Sequence, residues 1–184
     1  MNTVNFKIFV QSYYRGNNEM TSVKLNQDET SPANEVEEVS MTLWAGETAV
    51  ETKTAMLHTD GNVSASFTHS GDYVISIKPK NALEVFTPSA LNLGEDDVNY
   101  DFTIDASQAF GSNQVEVESG VFALYSGDIN QDGVIDQDDL SILNNAIENG
   151  LFGIQIADLN GDGAVDTSDT DNFYVNLGKT VMRP

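Results

Sequence analysis

Cysteine is absent from the 184 residues, which excludes disulfides, thiol nucleophiles and thiolate metal sites. Histidine is nearly absent as well. His58 and His69 are the only imidazoles, too few for most histidine metal sites or a Ser–His triad. Positive charge is scarce: 8 Lys and Arg stand against 29 Asp and Glu, a formal net charge of −21. Such a chain repels phosphate backbones and anionic lipid heads, so neither nucleic acid nor a membrane surface is expected as a partner. No apolar run approaches the roughly 18 residues that a membrane-spanning helix needs. Met1-Asn2-Thr3 leads straight into a strand pattern without a signal-peptide profile, and the abrupt start is expected to be a trimmed terminus.

Up to about Tyr125 the apolar residues alternate. Val4, Phe6, Ile8 and Val10 follow a period of two, as do Val39, Met41 and Leu43, and then Tyr73, Ile75 and Ile77 up to Pro79. Thr54 to Leu57, the pair Asp60-Gly61, and Val63, Ala65 and Phe67 predict a β-hairpin. Leu83 and Val85, then Tyr100, Phe102 and Ile104, then Val115 and Val117 continue the pattern. Seven or eight short strands predict an antiparallel sandwich over residues 1–125. Gly120 to Tyr125 is short and apolar, which predicts a rigid joint to the C-terminal third rather than a flexible tether.

Beyond that joint the sequence duplicates itself at a thirty-residue interval. Asp128, Asn130, Asp132, Gly133, Val134, Asp136 and Asp139 align with Asp158, Asn160, Asp162, Gly163, Ala164, Asp166 and Asp169. A hard divalent cation takes six to eight oxygens, and a twelve-residue loop supplies them from positions 1, 3, 5, 7, 9 and 12. The two sets are therefore expected to bind two calcium ions. Val134 and Ala164 would give backbone carbonyls, and Asp136 and Asp166 water-bridged oxygens. Glycine at position 6 allows the loop to fold back. Ile135 and Val165, at position 8, are expected to pair across the loops, and a helix is expected after each loop.

Position 12 is Asp in both loops, and no helix pattern precedes Asp128. This duplicated loop-then-helix unit, from about Ser126 to Lys179, resembles the dockerin family. The resemblance implies a small α-helical calcium-binding module at residues 126–184 with two EF-hand-type loops, following an immunoglobulin- or prealbumin-like sandwich. It also implies a cohesin-type protein partner and a secreted or cell-surface bacterial protein, one that degrades polysaccharide or sits on the surface. Partner contacts carried over from the family are Gln137, Asp138, Asn144 and Asn145 in the first repeat, and Thr167, Ser168, Tyr174 and Lys179 in the second. The repeats differ at all of these positions, which argues against a symmetric dual binding mode. Thr170 replaces the apolar Leu140 of the first repeat, so Phe173, Val175 and Leu177 are expected to pack the second helix.

No catalytic constellation is visible, and the chain is not expected to be an enzyme. His58 reads as a solvent-side strand residue and His69 as a turn residue. The pairs Glu37-Glu38, Asp96-Asp97 and Glu116/Glu118 read as solvated faces or turns. Two alternatives to a partner-binding module remain open: a calcium-stiffened anchoring or adhesive tail, and a carbohydrate-binding sandwich using Tyr13, Tyr14 and Trp44, with the loops as stabiliser.

Overall fold

The computed structural model describes residues 1–184. Its strands are β1 (Asn2–Lys7), β2 (Tyr14–Gly16), β3 (Glu19–Met20), β4 (Glu35–Ala45), β5 (Thr48–His58), β6 (Asn62–Phe67), β7 (Gly71–Lys78), β8 (Val85–Phe86), β9 (Leu91–Leu93), β10 (Val98–Asp101), β11 (Val115–Glu118) and β12 (Val121–Ala123). Three helices, α1 (Val23–Gln27), α2 (Gln137–Glu148) and α3 (Phe173–Asn176), are short. None is long and apolar enough to cross a membrane.

One sheet runs β10-β1-β6. A second runs β5-β4-β7-β8, with β9 also on β7, while β2-β3 and β11-β12 form small two-stranded sheets. The inward residues of the two larger sheets, among them Val4, Phe6, Phe67, Met41, Leu43, Ile75 and Ile77, form one 25-residue core. Burying alternate side chains against a facing sheet is what the period-two pattern dictates. Two features depart from the expected antiparallel meander. β1 pairs with β10 in parallel, Val4 opposite Val98. The strands flanking Asp60-Gly61 also part company, because β5 pairs with β4 while β6 pairs with β1. The turn is there, with the Asp60 carboxylate accepting from the Asn62 amide, but it carries the chain from one sheet to the other. The true hairpin is β4–β5, closed at Ala45 and Thr48. Ile104, assigned to a strand by its alternation, lies beyond β10 and is exposed.

Glu37 also departs from expectation, being buried where a solvated carboxylate was predicted. A register shift between Glu35 and Glu37 breaks the alternation of β4, so Val36 and Glu37 are buried in succession. Burial raises its carboxyl pKa from 4.5 to about 7, against a smaller opposing pull from Lys80. The folded state therefore holds a proton that the unfolded chain releases. The resulting stabilisation is complete below about pH 4.5 and is lost as pH rises through about 7. Urea unfolding at pH 5 and pH 8 should show a decline on the order of 3 kcal/mol in the parent that Glu37→Gln removes. An identical pH slope in both proteins would assign the decline elsewhere.

The expected separate α-helical module does not form. Residues 126–184 contribute α2, a 3₁₀ turn at Thr167–Thr170 and the four-residue α3. A second apolar cluster of nine buried residues fills this part, and Leu83 of the β-rich part belongs to it. Asn176, itself buried, locks the two parts together. Its Nδ2 donates to Gln11 Oε1 at 2.6 Å and to the Ser126 carbonyl at 2.8 Å. Leu124 lies in the first core and Tyr125 against the second, so the apolar joint bridges both.

The second repeat makes no continuous helix because its apolar stripe fails. Phe173 is fully buried, but Val175 is 68% exposed and Leu177 37%. Ile135 and Val165 are buried in the shared cluster without pairing to each other. Ile135 exchanges backbone hydrogen bonds with Gly178 and Lys179, and the Val165 amide donates to Leu151.

Candidate functional site

The two loops share one hydrogen-bonded frame. Gly133 and Gly163 donate their amides to Asp128 Oδ2 and Asp158 Oδ2. Asn130 Oδ1 accepts from the Asp132 amide and Asp132 Oδ1 from the Val134 amide, as Asn160 and Asp162 do from Asp162 and Ala164. Asp139 accepts from the amides of Ile129, Asn130 and Asp136. Asp169 accepts from those of Asn160 and Asp166. Each loop closes on a helical turn capped by its position-9 residue. Asp136 accepts from the Asp138 amide and Asp166 from the Ser168 amide, each in a reciprocal capping box with the Asp three residues on.

Side chains at positions 1 and 12 are buried in both loops: Asp128, Asp139 and Asp158 are fully covered and Asp169 nearly so. Burying ionised carboxylates without a counter-charge is costly, and the acid form is favoured instead. Desolvation, reinforced by Asp139, raises Asp128 to about 6. Desolvation likewise raises Asp158, and raises Asp169 to about 6. Asp128 Oδ1 is buried with no hydrogen-bond partner. No group of three or more acidic or imidazole side chains is placed to hold a metal ion. The residue types expected as donors, carboxylates, one asparagine and the position-7 carbonyl, recur at the same spacing in both loops. Oxygen-only donors with several negative charges are the chemistry that a hard cation takes.

The frames differ in how the β-rich part grips them. Loop 1 is held by Lys78, whose ammonium donates to the Gln131 carbonyl at 3.0 Å, and by Gln131 Nε2 on the Lys80 carbonyl at 2.6 Å. Loop 2 is held by α1, where Gln27 Nε2 donates to Asp158 Oδ2 at 2.8 Å and Asn26 Nδ2 to the Gly161 carbonyl at 2.8 Å. Position 4 is left-handed in both loops, Gln131 at φ 61° and Gly161 at φ 72°. Loop 1 tolerates a side chain there, because the exposed Gln131 reaches outward to the Lys80 carbonyl. In loop 2 a Cβ would come within 2.5 Å of Val23, so only glycine fits under α1. Gln27 and Asn26 stand far from the motif in the chain, and no spacing in the sequence marks them as neighbours of Asp158 and Gly161.

All eight carried-over partner residues, Gln137, Asp138, Asn144, Asn145, Thr167, Ser168, Tyr174 and Lys179, are exposed. Four are partly engaged within the chain: Asn145 Oδ1 accepts from Asn149 Nδ2 at 3.1 Å, and the Tyr174 ring packs edge-on against Phe173. Ser168 Oγ lies 2.7 Å from Asn160 Nδ2, and the Lys179 ammonium stands 4.8 Å above the Tyr125 ring. Tyr13 is buried in the core, unavailable as a sugar platform. Trp44 donates to Ser76 Oγ at 2.8 Å and is covered by the Arg183 guanidinium at 5.3 Å. His69 pairs with Glu51 at 2.7 Å at the surface, and His58 meets only Asn34.

No family model matches the sequence, and no curated protein matches it. Solved structures do. The fold resembles that of a chain in a type II Cohesin-X-Dockerin complex from Acetivibrio cellulolyticus, a C-terminal interface mutant, with a TM-score of 0.56 and 18% identity over 98% of this chain and 97% of that one. An N-terminal interface mutant of a type II complex from the same organism gives a TM-score of 0.57 and 16% identity with the same coverage. At these identities the likeness is one of fold. It runs through the β-rich and loop-bearing parts together, which agrees with their interlocked packing and not with a detached helical appendage.

Proposed function

We propose that this chain is a non-catalytic protein–protein interaction module of an extracellular bacterial assembly, with calcium held in its duplicated loops. One observation carries the metal assignment: the repeated frame around buried acidic side chains, with one oxygen of Asp128 left unsatisfied. In this reading Asp128, Asn130, Asp132, the Val134 carbonyl, Asp136 and Asp139 surround one ion. Asp158, Asn160, Asp162, the Ala164 carbonyl, Asp166 and Asp169 surround the other. The ions would offset the burial that raises the pKa of Asp128, Asp158 and Asp169.

The fold neighbours come from cohesin–dockerin complexes, which supports a protein partner. The repeats resemble the dockerin side of such a pair, so the partner face falls on the exposed residues of α2, the Thr167–Thr170 turn and α3, and the partner is a cohesin-type protein. The parent would be a secreted polysaccharide-degrading or surface protein. Tyr174, 56% exposed on α3, is the anchor. Tyr174→Ala should weaken partner binding by about 2 kcal/mol with both ions retained.

A second reading is favoured by the mainly β content of the fold. It places the chain on the cohesin side, with a sandwich face meeting a dockerin-type partner. Capture on immobilised cohesin-type and dockerin-type proteins, with calcium and with chelator, separates the two. Retention on cohesins that needs calcium and Tyr174 supports the first. Retention on dockerins that ignores Tyr174→Ala supports the second. Retention on neither would reject the interaction module in both forms.

A further inference from the structure

A cleft of about 410 Å³ lies where the sandwich, α1 and the segment before loop 2 meet, a size typical of small-molecule sites. Its apolar wall comes from Tyr13, Val36, Ile154 and Ile156. Two acceptors also line it. Asn81 is 1% exposed; its Nδ2 donates to Tyr13 Oη at 2.8 Å and to the Ile156 carbonyl at 3.2 Å, while its Oδ1 has no partner. The buried Glu37 carboxylate receives only a long bond, 3.4 Å, from the Lys80 amide.

Two donors around the cleft are committed elsewhere: Lys24 is paired with Glu35 at 2.9 Å and Gln27 holds Asp158. Lys80 also lines the cleft, and its charge offsets part of the burial cost of Glu37. Burial, with smaller contributions from the nearby carboxylates Glu37, Asp158 and Asp169, raises the Tyr13 phenol well above its usual pKa. The cleft therefore presents two under-satisfied acceptors, Asn81 Oδ1 and the Glu37 carboxylate, under an apolar rim that includes Ile154, itself 70% exposed. A chain of net charge −21 adds a general attraction for cations.

We propose that this cleft binds an alkylammonium or guanidinium group on a short apolar stem, its N–H groups on Asn81 Oδ1 and the Glu37 carboxylate and its stem against Ile154 and Ile156. The group could belong to a free small molecule or to a Lys or Arg side chain of a partner. The cleft adjoins loop 2 through Gln27, which lines it and holds Asp158, and none of its lining residues belongs to α2 or α3.

Agmatine, a short peptide carrying one Arg between two Leu residues, and the neutral control n-butylurea serve as probes, titrated into calcium-loaded protein. Methyl resonances of Ile154 and Ile156 report occupancy, and the melting temperature reports folding. Agmatine or the peptide should shift these methyls saturably, and n-butylurea should bind at least about tenfold more weakly. Glu37→Gln should weaken the cationic probe by about tenfold or more while the protein stays folded. Asn81→Leu removes the second acceptor, but it also frees Tyr13 and Ile156. Ser31→Trp, which fills the cleft from its wall, therefore serves as a second block and should abolish the shift. A peptide that binds better than agmatine assigns the site to a partner's side chain, and the reverse order to a free ligand. No saturable shift with either cationic probe, equal binding of n-butylurea, or binding untouched by Glu37→Gln in folded protein would overturn the proposal.

Discussion

Chelating calcium should unfold or loosen residues 126–184 while the sandwich core stays folded. The second apolar cluster has nine buried residues against 25 in the first, too few to hold its loops against their own charge. Without a cation, Asp128, Asp139, Asp158 and Asp169 are acidic groups sealed from water. Binding only to the folded form contributes about 4 kcal/mol per site when the ion stands a thousandfold above its dissociation constant. Two such contributions exceed what a cluster of this size supplies. In amide exchange, Leu143 and Phe173 should lose protection on chelation while Val4, Met41 and Ile75 keep theirs. The interlock through Asn176 and Gln27 should carry some loosening into α1 and Gln11, but not into the paired sheets. Calorimetry on metal-stripped protein should return two calcium ions per chain. Unchanged exchange at Leu143 and Phe173 in excess chelator, or a stoichiometry near zero, would reject the metal assignment.

How far the sequence could be read depended on whether a pattern was local. The alternation of Val4, Phe6 and Ile8, or of Val39, Met41 and Leu43, encodes burial directly, because side-chain direction in a strand repeats every two residues. Pairing does not follow from it. Asp60-Gly61 specifies a turn, yet whether the strands on either side join one sheet or two is decided by β1 and β4, which lie far off in the chain. Glu37 was misjudged for a related reason. A one-residue shift of register is a property of the pair of strands and leaves no mark in either sequence. The duplicated loops were legible because every hydrogen bond in their frame spans at most ten residues. Their grip on the β-rich part was not, since Gln27 and Asp158, or Asn81 and Ile156, are joined only by the tertiary fold. Reading residues 126–184 as a separate helical module failed at the same point.

Phe173→Ala should be the most damaging single truncation in the second cluster, costing about 3–5 kcal/mol. Its ring is fully buried, and a methyl group placed on Gly127 would come within 3.2 Å of it, so the pocket is tightly filled. The ring sits where the chain leaves the sandwich and where loop 1 turns, beside Ile135. Removing it opens a void between loop 1 and the second repeat that neither Val175 nor Leu177 can fill, since both face outward. Val175→Ala and Leu177→Ala should then cost no more than about 0.5 and 1 kcal/mol, as partly exposed positions do. An evenly shared stripe of three apolar residues, as the alternation suggests, would instead give three comparable losses. Thermal unfolding at one fixed calcium concentration distinguishes the two once each variant's calcium affinity is measured alongside, because bound metal contributes to stability through its dissociation constant. If Val175→Ala destabilises the chain as much as Phe173→Ala does, α3 packs as a strand-like stripe and the described burial is wrong. If Phe173 dominates, the second repeat hangs on one aromatic anchor, and the exposed Tyr174 beside it is free to face a partner.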